Sequence, residues 1–170
     1  TLRRGIAGSV PHYQINDAKE ACWAFEPTQA VNYCEAHDNN TLWDKLCISA
    51  KNDSEGVRIK MDKLAAAIVI LSQGMPFIQL GQDFLRSKPR ILEEGEEPND
   101  VNIYSHDSYN APDYTNSIKW NRKLEYKEVF EYYKALIRLR KGSPLFRMNT
   151  KEDVNAHLHF MHNDDWNCVS

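Results

Sequence analysis

One stretch, residues 30–46, constrains the fold more than any other part of the chain. It reads AVNYCEAHDNNTLWDKL, in which a short strand-like run is followed by polar side chains and then by a helical pattern. Thr41 and Asp44 have the spacing of a capping box, which predicts that a helix begins after Thr41. A strand that passes through polar residues into a helix is typical of a βα unit. In a barrel of such units, the residues just past each strand line the active-site face.

A second strand is predicted about fifty residues downstream. An amphipathic helix precedes it, with apolar residues at helical spacing from Met61 to Leu71, and Gly74 and Pro76 mark the end of that helix. Residues 77–80 then have the length and composition of a buried strand. Strand, helix and strand in this order predict a βαβ unit with parallel strands and a right-handed crossover, and hence an α/β fold.

The remaining chain has three predicted parts. Residues 86–119 form a long irregular stretch, whose acidic half, residues 93–100, is predicted to be a solvated excursion. A second amphipathic helix is predicted from Val129 to Arg140, ended by Gly142 and Pro144. In the tail, residues 156–170, Leu158 and Phe160 alternate with polar residues, which predicts the first strand or two of an all-β unit.

Several motifs in this sequence resemble one enzyme family. Tyr-x-Glu-x-His-Asp-Asn at 33–39, followed by Thr-Leu-Trp-Asp at 41–44, is similar to the last catalytic motif of the α-amylase superfamily of glycoside hydrolases, in the form used by pullulanases and limit dextrinases. Residues 72–77 and 81–88, SQGMPF and GQDFLRSK, resemble the sequence around the eighth barrel strand of that branch. Residues 107–113, DSYNAPD, with Ile118-x-Trp120, resemble its substrate loop. The insertion at 90–104 departs from the usual shorter loop.

The resemblance implies a partial (β/α)8 TIM-type barrel, made of its last βα units, that runs into the start of a C-terminal all-β domain. Residues 1–148 would be the barrel portion and residues 149–170 the start of a β-sandwich. A complete barrel takes about 250 residues. The start at Thr1 suggests a chain cut from a longer one, and the family's Gly-Phe-Arg-x-Asp motif, which carries the nucleophile, does not occur here.

The resemblance also implies an activity and a set of site residues. The intact protein is expected to be a pullulanase-type enzyme that hydrolyses α-1,6-glucosidic linkages in pullulan, glycogen or starch dextrins by a retaining mechanism. Asp38 would stabilise the transition state, and the expected substrate-binding residues are His37, Asn39, Asp107, Tyr109 and Asn110. The isolated chain is expected to be inactive, because the nucleophile and the acid/base are not identifiable in it.

Three alternatives stay open at this stage. The chain could belong to an amylase-family hydrolase that acts on α-1,4 linkages, or it could be a carbohydrate-binding piece without catalysis. A metal-dependent hydrolase that uses Glu35, His37 and Asp38 is the third, although adjacent residues of an extended chain point in opposite directions. No cofactor and no metal are predicted.

Composition excludes two classes of partner. The formal net charge of −3 leaves no basic footprint for nucleic acid, and no apolar run reaches the roughly 18 residues that a membrane span needs. Four cysteines are scattered without CxxC spacing, which favours reduced thiols; whether the protein is cytoplasmic or secreted stays open. A partial barrel leaves a sheet edge uncovered, so the isolated chain is expected to self-associate.

Overall fold

The computed structural model describes residues 2–15 and 22–161 of the chain. Among these residues, contacts divide the chain into two compact units. The first unit contains residues 2–15, 22–32, 69–77 and 139–161, and the second contains residues 33–68 and 78–138. No helix in the described ranges is both long and apolar enough to cross a membrane.

Helices account for most of the regular structure. In chain order they are α1 (Leu2–Ile6), α2 (Leu42–Ser49), α3 (Glu55–Leu71), α4 (Asp113–Asn116), α5 (Arg122–Glu125), α6 (Lys127–Gly142) and α7 (Lys151–His157). Short 3₁₀ turns occur at Pro27–Gln29, Gln82–Phe84 and Pro144–Phe146. The two helices predicted from apolar periodicity, α3 and α6, are confirmed, although α3 starts six residues earlier than its apolar pattern.

A two-stranded parallel sheet lies in the first unit. Strand β1 (Val31–Asn32) pairs with β2 (Met75–Pro76), with Val31 opposite Met75. The predicted parallel pairing is therefore confirmed. The predicted bounds of the second strand are wrong: β2 begins at Met75, and residues 77–80 form no strand. Gly74, at φ 96°, lies immediately before β2 and close to Ala30, which precedes β1. A Cβ at this position would lie 2.8 Å from the Ala30 carbonyl oxygen, so only glycine fits there.

This sheet is less buried than the sequence predicted. Val31 in β1 is 49% exposed and Met75 in β2 is 50% exposed. Phe77, which the sequence placed in the second strand, is 43% exposed. The described residues thus combine many helices with one small sheet. The partial barrel and the all-β domain that would follow it are not confirmed by this arrangement and stay predictions.

Arg140, near the end of α6, fixes the connection between α3 and β2 within the first unit. Its guanidinium group donates hydrogen bonds to the carbonyl oxygens of Ile70 (2.8 Å), Ser72 (2.7 Å) and Gly74 (2.6 Å). The last carbonyl groups of a helix have no partner within the helix. Arg140 supplies one, and its planar fork reaches three acceptors at once.

The tail differs from the sequence prediction. Thr150 caps α7, and its hydroxyl accepts a hydrogen bond from the Asp153 amide at 3.1 Å. The strand predicted from residue 156 is wrong for the described residues, because α7 extends to His157 and residues 158–161 form no strand. The alternation has another cause: Leu158 and Phe160 both pack into an apolar cluster of the first unit whose other members include Ala7, Val10, Ile15, Ala24 and Val154. Residues 162–170 lie outside the described ranges, so the domain division at residue 148 stays a prediction.

In the second unit, α2 begins where the sequence predicted. The Thr41 hydroxyl accepts a hydrogen bond from the Asp44 amide at 3.1 Å, which satisfies one of the free N–H groups of the first turn. Leu42 and Trp43 are buried on this helix. The cap fixes the point at which the polar loop of residues 35–40 ends.

Candidate functional site

The loop of residues 35–40 is anchored at its start by a buried carboxylate. Glu35 is 2% exposed, and its Oε2 accepts a hydrogen bond from the amide of Leu42 at 2.5 Å. Burial raises the pKa of this carboxyl to about 7. Glu35 therefore joins the start of the loop to the beginning of α2, and the residues between these two points form a closed turn.

His37 and Asp38 lie at the exposed part of this turn. The His37 Nε2 and Asp38 Oδ2 atoms are 3.6 Å apart, and the two side chains are 86% and 80% exposed. Asn39, also exposed, has a left-handed backbone with φ 62°. Three polar side chains thus lie side by side on the surface of the second unit, and their roles in substrate binding and catalysis stay predictions.

The buried side chain of Lys88 anchors the backbone of this turn. It is 1% exposed, and its ammonium group donates hydrogen bonds to the backbone carbonyl oxygens of His37 (3.1 Å) and Asn39. A third bond goes to the hydroxyl oxygen of Ser108, at 3.1 Å. All three ammonium protons have acceptors, so the charge is satisfied despite its burial. Burial, followed by the neighbouring Arg86, lowers the pKa of Lys88.

Asp44 fixes the backbone at Lys88 by two hydrogen bonds. One carboxylate oxygen of Asp44 accepts a hydrogen bond from the Ser87 hydroxyl at 2.5 Å, and the other accepts from the Lys88 amide at 2.8 Å. Asp44 is fully buried, and burial raises its pKa. The residue that the sequence indicated as part of a helix cap therefore also anchors the lysine that supports the site.

The sequence predictions missed the role of Lys88. It lies within the Leu-Arg-Ser-Lys motif, but lysine is almost never fully buried, and no periodicity marks it as internal. The only signal was its position, because Lys88 lies at the beginning of the long irregular stretch, shortly after the second predicted strand. Its contacts with both polar loops depend on tertiary structure.

The second predicted loop is built by local hydrogen bonds. The Ser105 hydroxyl donates to the Asp107 carbonyl oxygen at 2.8 Å, and the Asn116 side-chain amide donates to the carbonyl oxygens of Ser108 (2.8 Å) and Ala111 (3.0 Å). Within this framework Asp107, Tyr109 and Asn110 are all exposed, Tyr109 at 96%. The loop therefore has a backbone held by hydrogen bonds and carries exposed side chains.

A cavity of about 620 Å³ lies beside this loop. Asp107, Tyr109 and Asn110 line it together with Asn40, which is two residues beyond Asp38. His37, Asp38 and Asn39 are not among its lining residues. The structure thus brings three of the five predicted substrate-binding residues to one cavity. Lys88 connects the loop beside that cavity with the turn that carries the other two, His37 and Asn39, and the predicted transition-state stabiliser Asp38.

Besides Asp44, two buried carboxyls with raised pKa values lie in the same unit but do not reach the surface. They are Glu35 and Asp62, each with a pKa raised to about 7, chiefly by burial. Asp62 is 1% exposed and accepts a hydrogen bond from the Tyr133 hydroxyl at 3.0 Å. A raised pKa often marks a catalytic acid. Here burial excludes contact with a polymer substrate, so both carboxyls are structural.

The arrangement does not support the metal alternative. Glu35 is turned toward the Leu42 amide in the interior, while His37 and Asp38 are exposed. Within residues 2–15 and 22–161, no group of three or more His, Cys, Asp or Glu side chains could hold a metal ion. The three residues of the proposed triad therefore do not form a ligand set.

Comparisons with known proteins agree on one kind of enzyme. No family model matches the chain. A curated pullulanase from Bacillus subtilis is 38% identical over 133 residues, which is 78% of this chain and 17% of that protein. The chain belongs to the pullulanase family. The resemblance to the pullulanase branch of the α-amylase superfamily is therefore confirmed.

Solved pullulanase structures match the fold as well. A Paenibacillus barengoltzii pullulanase in complex with maltohexaose and α-cyclodextrin has a TM-score of 0.78 at 38% identity, over 95% of this chain and 22% of that one. An Anoxybacillus pullulanase in complex with maltotriose has a TM-score of 0.75 at 37% identity, over 95% and 20%. The chain thus spans about a fifth of the length of these pullulanases.

Proposed function

We propose that the intact protein containing this sequence is a pullulanase-type debranching enzyme. It hydrolyses α-1,6-glucosidic linkages in pullulan, glycogen or starch dextrins with retention of configuration, and this chain supplies Asp38 and several substrate contacts. The observation that carries the proposal is the exposed His37–Asp38 pair on a turn fixed by Glu35 and Lys88. The similarity to pullulanases, two of them solved with maltooligosaccharides, supports the substrate class.

The role of Asp38 follows from its charge and exposure. Retaining glycoside hydrolysis passes through an oxocarbenium-like transition state, in which the sugar ring flattens and gains positive charge. A fixed carboxylate that accepts hydrogen bonds from ring hydroxyl groups favours that flattened form, and His37 can donate to the same sugar. Hydrogen bonds to charged groups contribute about 1.5–3 kcal/mol, and only the part that strengthens in the transition state increases the rate.

The variant Asp38→Asn in the intact protein tests this role. It keeps the size of the side chain but removes its charge and replaces one acceptor with a donor. We expect a loss of about 2–4 kcal/mol in transition-state stabilisation, which is roughly a 30- to 1000-fold fall in kcat with a much smaller change in KM. The assay is release of reducing sugar from pullulan.

A control and a melting curve separate catalysis from stability. Asp53→Asn removes an exposed carboxylate elsewhere in the second unit and should leave kcat unchanged. If Asp38 only shaped the turn, Asp38→Asn would lower the melting temperature and leave turnover nearly normal. Normal kcat at saturating pullulan would refute the catalytic role.

Binding of maltohexaose without any turnover by the intact protein would favour the carbohydrate-binding alternative.

A further inference from the structure

Polar side chains, most of them buried, meet at the start of the 35–40 loop. They come from four places in the second unit and are called the buried acid cluster: Cys34, Glu35, Asp62, Gln82 and Tyr133. The Gln82 side-chain amide donates hydrogen bonds to the Tyr133 hydroxyl oxygen and to the Cys34 sulfur, each at 3.2 Å. The Tyr133 hydroxyl donates to Asp62 at 3.0 Å. The cluster thereby connects α3 and α6 with the residues that precede the 37–39 turn.

Acceptors outnumber donors in this cluster. Among the described residues, no donor reaches three of its buried oxygen atoms, which are Glu35 Oε1, Asp62 Oδ2 and Gln82 Oε1. The Gln82 amide nitrogen and the Tyr133 hydroxyl already donate to other members. An ionised carboxylate only accepts hydrogen bonds, whereas a protonated carboxyl also donates one. The hydrogen bonding therefore favours the protonated form of both carboxyls.

The charges around Glu35 favour the same form. Burial is the largest effect and raises the pKa of Glu35 to about 7, although its amide hydrogen bond acts in the opposite direction. The charge of Asp62 also raises this pKa, and the charge of Asp44 does so more weakly. Arg86 lowers it, but by less than Asp62 raises it. Lys88 also faces this carboxyl, and its ammonium group is already bonded to carbonyl and hydroxyl oxygens.

We propose that the buried acid cluster positions Asp38, and that Glu35 holds the 37–39 turn only while it keeps its proton. The protonated carboxyl accepts from the Leu42 amide through Oε2, and its hydroxyl adds the donor that the cluster lacks. When Glu35 releases this proton to solvent, an uncompensated charge is left in the interior, which is costly. Movement of the carboxylate toward water then breaks the bond to Leu42 and displaces the turn. The inference rests on the proposed function for the catalytic role of Asp38.

The variant Glu35→Gln in the intact protein tests this positioning role. Its amide oxygen can still accept from the Leu42 amide, and its NH2 group donates, so the side chain imitates the protonated carboxyl at every pH. One pH unit above a pKa of about 7, only about a tenth of the carboxyls keep the proton. The ratio of kcat on pullulan at pH 6 to kcat at pH 8 should therefore be about tenfold smaller in Glu35→Gln than in the unmodified protein.

Two further variants make the test specific. Because the charge of Asp62 raises the pKa of Glu35, Asp62→Asn should move the fall in kcat to lower pH. Glu125→Gln is the matched control, since it removes an exposed carboxylate of the same unit and should leave the pH profile unchanged. The proposal is overturned if Glu35→Gln lowers kcat equally at both pH values, as a purely structural role predicts, or keeps the original pH dependence. It is also overturned if Asp62→Asn moves the fall to higher pH or if Glu125→Gln matches Glu35→Gln.

Hydrogen exchange gives a measurement that does not depend on hydrolysis. Mass spectrometry of peptides that contain Leu42 should show that protection of its amide falls from pH 6 to pH 8 in the unmodified protein, after correction for intrinsic exchange, and stays constant in Glu35→Gln. This result in a protein that does not hydrolyse pullulan would support the positioning role and refute the debranching activity. Hydrolysis of pullulan with equal protection at both pH values would support the activity and refute the positioning role.

Discussion

Replacement of Lys88 by Met is the most direct test of how the site is held. Lys88 is buried, and its ammonium group bonds to two backbone carbonyl oxygens of the 37–39 turn and to the Ser108 hydroxyl. Met keeps most of the length of the side chain and its apolar contacts but cannot donate a hydrogen bond. The variant therefore separates the three hydrogen bonds from the packing of the stem.

The expected cost follows from these contacts. Hydrogen bonds to a charged group contribute about 1.5–3 kcal/mol each. The sum is an upper limit, because Met also removes the desolvation cost of a buried ammonium group and because the turn is exposed enough for water to reach its carbonyl oxygens. We expect unfolding to become easier by about 2–4 kcal/mol. For a chain of this size that is about 5–15 °C in Tm.

Thermal melting measured by circular dichroism gives the comparison, with Lys51→Met as the control. The Lys51 ammonium group lies 2.9 Å from an Asp100 carboxylate oxygen, but both side chains are more than half exposed, so its loss should cost less than about 1 kcal/mol. Hydrogen exchange should also rise at the amides of residues 38–40 in Lys88→Met. A Tm within 2 °C of the Lys51→Met control would refute the role of Lys88 as an anchor.

Three further predictions concern acidity, thiols and the isolated chain. Burial raises the pKa of Asp62 to about 7, so between pH 4 and 7 the folded chain keeps a proton that the unfolded chain releases. The Tm should therefore fall as the pH rises through this range. The fall should be smaller in the Asp62→Asn variant. Burial also raises the pKa of the Cys34 thiol to about 11, so its alkylation at pH 8 should be roughly 100-fold slower in the folded chain than in denaturant. Equal alkylation rates would contradict the raised pKa. In denaturant all four cysteines should titrate as free thiols. The isolated chain should release no reducing sugar from pullulan, and with the exposed β1 and β2 surface it should sediment as more than a monomer; a monodisperse monomer would argue against self-association.

Local signals in the sequence predicted the elements that depend on short-range chemistry. The Thr41 cap and the α6 helix with its Gly142 end could be predicted because each depends on a capping residue or on periodicity. The parallel direction of the two strands could be predicted from the order strand, helix, strand.

Features that depend on distant contacts were not readable. The alternation of Leu158 and Phe160 was interpreted as a strand, but it reflects packing against residues near the start of the chain. Burial of Lys88 requires acceptors from residues 37, 39 and 108, and no local pattern contains all three.

The backbone of Asn39 restricts how this position can change during evolution. Its φ of 62° lies in the left-handed region, which Asn, Asp and Gly adopt readily and which costs most other residues about 1–2 kcal/mol. The exposed side chain is not required for packing. Neutral drift at residue 39 should therefore be confined to these three residues. Because Gly keeps the backbone and removes the side-chain amide, a natural or engineered Gly at position 39 would report how much the proposed activity relies on that amide alone.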